Sequence, residues 1–534
     1  MLQYHQQINP SVRPHVPIPC HQNSTMSLFV FSIVLPPLIL LLLYKLTPKY
    51  QTHPSSSPKL PKSYPIFGSF FTIVKNRHRF VQWSSDIATS IPTLTFYLNR
   101  NFGLTNIVTA NPAVVKHILK TNFGNYDKGE FFRTNLGDFL GDGIFNSDGE
   151  MWKLQRQIAV HEFNTKSLRK FVETVVDSEI SGRLIPILED AAVAEAAAPP
   201  LDFQDILHRF AFDNICKIAF GYDPKYLSPS LPEEKFAVAF EKAAELSEER
   251  FLTFIPYSWK IKKFLNIGSE KELKMAVGEV RQLALKIVRR KMQEIKENPS
   301  SNNQFDDLLS RFLNSGNSEE TFVTDIVISF IIAGKDTTSA ALTWFFWLLS
   351  KHPQVENEIL REIEDMSGAS SAYEEVKEMV YTHASLCEAM RLYPPVPVDA
   401  KAARNDDVLP DGTMVKKGMR ISYHPYAMGR VEKVWGKDWP EFRPERWLER
   451  RSPEEKWCFV GRDPYTYPVF QAGPRICLGK DMAFIQMKRV VAAVLRRFRV
   501  VPVAEGTEPV LVSALTIKMK DGFPVRIEIR NNGI

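Results

Sequence analysis

The chain has 534 residues, 44% of them hydrophobic and 24% charged, with a formal net charge of +6. That is ample apolar material for a large core, and a mild positive balance without a dense lysine–arginine block argues against nucleic-acid binding. Five scattered cysteines (Cys20, Cys216, Cys387, Cys458, Cys477) form no C-x-x-C pair, which argues against a disulfide framework or zinc site and for a reducing compartment.

Residues 1–26 are a polar N-terminal extension, of which a translation start at Met26 would remove residues 1–25. Residues 27–46, "SLFVFSIVLPPLILLLLYKL", carry one charge, Lys45, and are long enough to span a bilayer core as a transmembrane anchor. Pro36 and Pro37 would kink that helix, and no small-residue cleavage site follows, as a removable signal would require. Lys45, Lys49, Lys59 and Lys62 stand at its end and beyond, against Arg13 alone before it, so the bulk of the chain is expected in the cytosol. Residues 47–69, containing "PSSSPKLPKSYPIFGS", read as a stiff proline-rich hinge. Residues 70–534 form one large domain, with low-complexity loops at 191–200 and 297–304.

Patterns within the domain are mostly helical, as in "ELKMAVGEVRQLALKIVRRKMQEIK" from Glu272 to Lys296. Strand signals are fewer, and the strongest is a final hairpin from Val510 to Ile529 turning at Asp521–Gly522. "MWKLQRQIA" places Trp152 and Arg156 one helical turn apart. "TDIVISFIIAGKDTTSAALTWFFWLLS" is apolar on nearly every face, which predicts a long buried helix. Gly334, Asp336, Thr337 and Thr338 interrupt it, with Gly334, Thr337 and Thr338 at i, i+3, i+4. A helix-interior glycine costs about 1 kcal/mol relative to alanine, and a buried carboxylate costs more unless partnered. A ligand approaching the backbone is one reason for those residues; a packing glycine with threonines bonded back to the helix is the other. Lys335, facing away, is expected to find its partner on a neighbouring helix.

Glu388 and Arg391 are i, i+3 on a helix that Pro394–Pro395 ends, and Arg446 of "PERW" could join them. In "FQAGPRICLGKDMAFIQMK", Gly473 and Pro474 break regular structure. Gly479 lets the backbone pass close to something bulky. Cys477 precedes a helix whose N-terminal amides favour a thiolate.

Taken in series, these stretches resemble the cytochrome P-450 monooxygenases, from about Pro58 to the C-terminus. "FQAGPRICLG" matches the family's haem loop F-x-x-G-x-R-x-C-x-G at all five fixed positions, Phe470, Gly473, Arg475, Cys477 and Gly479. "AGKDTT" matches the oxygen-activating helix, Glu388-x-x-Arg391 the family's paired residues, and "PERW" stands where P-E-R-F is usual. The resemblance implies a mainly α fold with a minor β region: a single large haem domain behind a transmembrane helix. It implies haem b with Cys477 as iron ligand and Arg475, Arg156 and Trp152 at the propionates. O2 is the co-substrate, and NADPH supplies electrons through a partner reductase. Gly334 would leave room for dioxygen, Thr338 with Asp336 would relay protons, and Glu388, Arg391 and Arg446 would support the haem loop.

A haem-thiolate peroxide isomerase or dehydratase, or a haem sensor or carrier, are the competing readings; the intact threonine and cysteine loop favour the monooxygenase. Further stretches, among them "DDVLPDGTMVKKGMRISYHPYAMGR", look like the plant fatty-acid omega-hydroxylase branch, whose members also act on jasmonoyl–amino acid conjugates or sterol side chains. Such a protein would sit in the endoplasmic reticulum membrane and take a lipophilic substrate. Phe131, Phe132, Leu136, Phe139, Ile144, Val396, Val398 and Leu515 are the expected apolar pocket wall.

Overall fold

The computed structural model describes residues 60–163, 171–194, 199–232, 235–297, 307–316, 319–366, 371–450, 452, 455–504 and 506–530. The expected anchor, residues 27–46, lies outside them. In chain order the elements that build the site are strands β1 (Thr95–Asn99), β2 (Thr105–Thr109) and β3 (Tyr126–Asp127), then helices α1 (Gly129–Leu140) and α2 (Gly149–Val160). Strand β4 (Leu201–Asp202) leads into helices α3 (Phe203–Phe220), α4 (Lys235–Glu249), α5 (Gly268–Glu297), α6 (Glu320–Ser350) and α7 (Val380–Leu392). Strands β5 (Asp399–Ala403) and β6 (Arg420–Tyr423) precede helix α8 (Lys480–Leu495) and strands β7 (Phe498–Pro502), β8 (Leu511–Ser513), β9 (Ile517–Met519) and β10 (Pro524–Ile529).

Helix α6 is apolar all round because protein surrounds it: α3, α5 and α7 pack along it. Among the described residues it is the one helix long and apolar enough to cross a membrane, and it is instead the core of the helical body. Beside that body lies a five-stranded sheet in the order β1-β2-β6-β5-β3, with β2 and β6 parallel and the other pairs antiparallel. The sheet has its own apolar cluster, including Phe96, Ile107, Ile421 and Tyr423.

Three expectations change. The C-terminal hairpin is β8–β9, with Leu511 opposite Met519, and β10 instead pairs with β7 and β4. Asp521–Gly522 therefore joins two sheets rather than turning a hairpin, and a Cβ on Gly522 would fall 2.2 Å from Asp202 Oδ2. The hinge enters the fold earlier than residue 70. Tyr64 bridges Gly68, Phe67 stacks on Phe254, and a Cβ on Gly68 would sit 2.4 Å from the Arg100 carbonyl oxygen. Of the first low-complexity stretch, residues 191–193 are the end of a helix, Ile185–Val193.

Candidate active site

The loop before α8 is held from both sides. Gly473 has φ +66°, and a Cβ there would lie 2.0 Å from the Leu119 carbonyl oxygen, so only glycine fits. The Cys477 amide donates to the Phe470 carbonyl at 2.8 Å, and the Phe470 ring packs on Phe484. Around Gly479, by contrast, the protein's own atoms stand at ordinary contact distance, with Cys477 Sγ at 4.0 Å from its ideal Cβ. Among the described residues, no other part of the chain presses on Gly479.

Cys477 is exposed to a solvent-sized probe, yet the surrounding protein desolvates it: the thiol opens onto interior space. Burial pushes that thiol up; the Gly479 amide and then Arg156 oppose the rise without cancelling it. The loop's amide and Arg156 thus offset only part of the cost of burial. A metal ion, which deprotonates a coordinating thiol outright, would supply what the loop lacks.

Trp152 and Arg156 on α2 meet Arg475 at this loop. The Arg156 guanidinium donates to the Ile476 carbonyl at 2.8 Å, and Arg475 stacks on the Trp152 ring at 4.4 Å. Arg475 also donates to the Ser147 carbonyl and to Asp148 Oδ1, at 3.0 and 2.7 Å. Next to it lies a group that sequence reasoning missed. Asp399 is 3.2 Å from Lys128 Nζ and 3.6 Å from Lys401 Nζ, and it accepts from the Tyr423 hydroxyl at 2.7 Å. Burial alone would raise the Asp399 carboxyl, but the two lysines and Tyr423 hold it far below the usual range. Burial pulls Lys401 down to about 7; Asp399 opposes this, and Lys128 and Arg475 add to it. Four cations (Lys128, Arg156, Lys401, Arg475) thus share two carboxylates, Asp148 and Asp399, while Asp127 is paired with Arg404. The imbalance suits a dianion such as the two propionates of haem, and the inward-facing sulfur suits its iron. Isolated lysines in "YDKGEFF" and "DAKAAR" carried no signal by which to find them.

On α6 the buried run is broken at Ala333, Gly334, Asp336 and Thr337, which are partly accessible. Thr338 is 4% exposed, and Thr337 is the more open of the two, its hydroxyl donating to the Ala333 carbonyl at 2.6 Å. Gly334 is a packing glycine, since a Cβ there would fall 2.4 Å from Ile215 Cγ1 on α3. Lys335 finds its partner next door rather than on another helix: its Nζ lies 2.6 Å from Asp336 Oδ1 and over the Phe240 ring.

Glu388, Arg391 and Arg446 come together in one buried network. Both Glu388 oxygens bind Arg391, at 2.7 and 2.8 Å, and Arg446 Nε reaches Glu388 Oε1 at 3.1 Å. Trp447 Nε1 donates to Glu388 Oε2 at 2.9 Å, a bond that phenylalanine in that place could not make. Phe131, Phe132, Ile144, Val396, Val398 and Leu515 are partly accessible. Leu136 and Phe139 are not: they are 1% and 0% exposed, Phe139 against Phe240, and belong to the core rather than to a pocket wall. The Ile517 amide donates to the Pro395 carbonyl at 2.9 Å, tying the β8–β9 hairpin to the Val396–Val398 segment.

An inward-facing cysteine, a cationic cradle for two carboxylates and a notched core helix define a haem-thiolate protein. The family model for cytochrome P450 matches residues 58–520. Cytochrome P450 94A2 of Vicia sativa is 63% identical over 486 residues, 91% of this chain and 94% of its own length. Cytochrome P450 94B1 of Arabidopsis thaliana is 47% identical over 502 residues, 94% of this chain and 97% of its own. Cytochrome P450 86B1 of Arabidopsis thaliana is 42% identical over 474 residues, 84% and 82% of the two chains. The chain belongs to the cytochrome P450 family: it is a haem-dependent monooxygenase that uses O2 and electrons passed from NADPH by a reductase.

Proposed function

We propose that this monooxygenase hydroxylates the terminal carbon of a flexible lipophilic chain: a fatty acid, a jasmonoyl–amino acid conjugate or a sterol side chain. It works at the cytosolic face of the endoplasmic reticulum membrane, with residues 27–46 as a single-pass anchor and the reductase docking on the cytosolic domain. Haem, when bound, supplies oxygen activation. Cys477 gives it a thiolate, and Trp152, Arg156 and Arg475, with Lys128 and Lys401, hold its propionates. Thr337 Oγ1, backed by the Asp336 carboxylate, carries protons on the open face of α6.

A terminal C–H bond is stronger than its in-chain neighbours, so a terminal product requires positioning rather than reactivity. The observation that carries this reading is the bond from Ile517 to Pro395, which holds Leu515 and the partly accessible Val396 and Val398 on segments fixed to each other. The test offers the reconstituted enzyme a long-chain fatty acid, jasmonoyl–isoleucine and a side-chain sterol, and maps each hydroxyl. Terminal products are expected; in-chain or ring oxidation of every accepted substrate overturns the reading.

A further inference from the structure

Arg420, the first residue of β6, is a partly accessible cation with no acid in ion-pair reach among the described residues. Among the described residues its guanidinium makes no ion pair or hydrogen bond, and Nε is sealed from solvent with no partner. Its neighbours are rings, with Phe131 at 5.2 Å and Phe251 at 5.8 Å from Cζ. Burial pulls Arg420 down to about 9, and the charge that adds to this is another cation, Arg100. Arg100 donates to the Phe251 carbonyl at 2.9 Å, and burial lowers it too. The sealed Nε–H is a desolvated donor without an acceptor, a cost that an incoming anion would remove.

We propose that Arg420, seconded by Arg100, is a carboxylate-binding site that takes the acid end of the substrate. A planar guanidinium between aromatic faces presents a fork that matches a carboxylate in both geometry and charge. Strand pairing to Asn106 and Ala402 on both sides fixes its backbone. Tyr423, at the other end of β6, has its hydroxyl oxygen 2.5 Å from Gln471 Oε1 of the cysteine loop. Three residues of strand set Arg420 about 10 Å farther along, so an anchored acid end leaves the opposite end free to reach the reaction centre. The large cleft elsewhere, about 770 Å³ between α3, α4 and the β8–β9 hairpin, carries more acids than bases, with Arg77, Lys518 and Lys520 set against Asp202, Asp205, Glu241, Glu245, Glu248, Glu249 and Asp521, and suits a carboxylate less well. This inference rests on the end-on reading above and narrows it: the acceptable substrates are acids, and neutral sterols are not.

The test is binding of palmitate, of jasmonoyl–isoleucine and of the methyl ester of each to the haem-loaded full chain, followed by the Soret shift at pH 8. Arg420→Gln is expected to weaken acid binding about 10- to 100-fold while ester binding stays within about twofold. Arg420→Lys should restore part of the loss. Equal loss for acid and ester, or no loss for the acids, overturns the proposal. Should Arg420→Gln not load haem, the wild-type preference for acid over ester decides, and a ratio near one overturns it. In-chain hydroxylation with acid selectivity intact would sink the terminal reading alone.

Discussion

At the scale of single residues, four described cysteines differ in what they face. Cys216 and Cys387 are buried among apolar side chains, and burial drives both thiols well up. Cys477 alone combines interior space with an amide and an arginine aimed at its sulfur. Cys477→Ala is therefore expected to abolish the red-shifted Soret band of the reduced carbon monoxide complex, while alanine at Cys216, Cys387 or Cys458 keeps it. Retention of the band in Cys477→Ala would assign the ligand elsewhere. The two threonines separate by a different measurement. Thr337→Ala should consume NADPH and release peroxide in place of product, whereas Thr338→Ala should stay coupled, because Thr338 is the more buried of the two. Uncoupling in Thr338→Ala but not Thr337→Ala would reverse the assignment. The cysteine loop was legible in sequence because its glycines and cysteine are fixed by one local turn. Which threonine faces the open side was not, because the rotation of α6 is set by α3, through the fit of Gly334 onto Ile215.

At the scale of elements, the Glu388 network pins α7 to the segment that leads toward the cysteine loop. Glu388 and Arg391 are each 0% exposed, so the pair is not the surface bridge that i, i+3 spacing usually means. Removing the acid leaves two arginines buried without it, and the cost of breaking such a pair is about 3–5 kcal/mol. Glu388→Ala should accordingly lower the thermal midpoint and the haem content together; full haem content at an unchanged midpoint would show that the network is dispensable. The β8–β9 hairpin presents Leu515 on a segment bonded to Pro395. Leu515→Ala should move hydroxylation inward along the chain, read from product positions, and an unchanged profile would remove Leu515 from the pocket. The spacing of Glu388 and Arg391 was readable in sequence. The hairpin was misplaced because Asp521–Gly522 has turn chemistry but is packed against Asp202, and no local pattern announces a contact that distant.

At the scale of the whole molecule, the sequence showed the class of fold through helix periodicity and a short C-terminal run of strands, but not the sheet order, which joins β2 to β6 across three hundred positions. Charge balance around the cradle was also hidden, since Lys128 and Lys401 meet only when the sheet forms. Removal of residues 1–50 is expected to leave a folded, haem-loaded protein with weaker membrane association, because those residues carry none of the domain's core pattern. Loss of haem loading in that truncation would place the N-terminal segment within the fold.

The contact between Asp202 and Phe523 has a consequence for how the protein is made. The Asp202 carboxylate caps α3, accepting from the amides of Gln204 and Asp205, and also accepts from the amide of Phe523, 321 positions later. Ribosomes add about 5–20 residues per second, so roughly 16 to 64 s pass between the emergence of the two. The helix that sets the rotation of α6 is thus complete long before the strand that closes over its start exists. During that interval β4 lacks its partner, and the nascent domain cannot finish folding while it is being translated. Chaperone occupancy should persist until the last strand is released, and haem capture should follow termination rather than accompany synthesis.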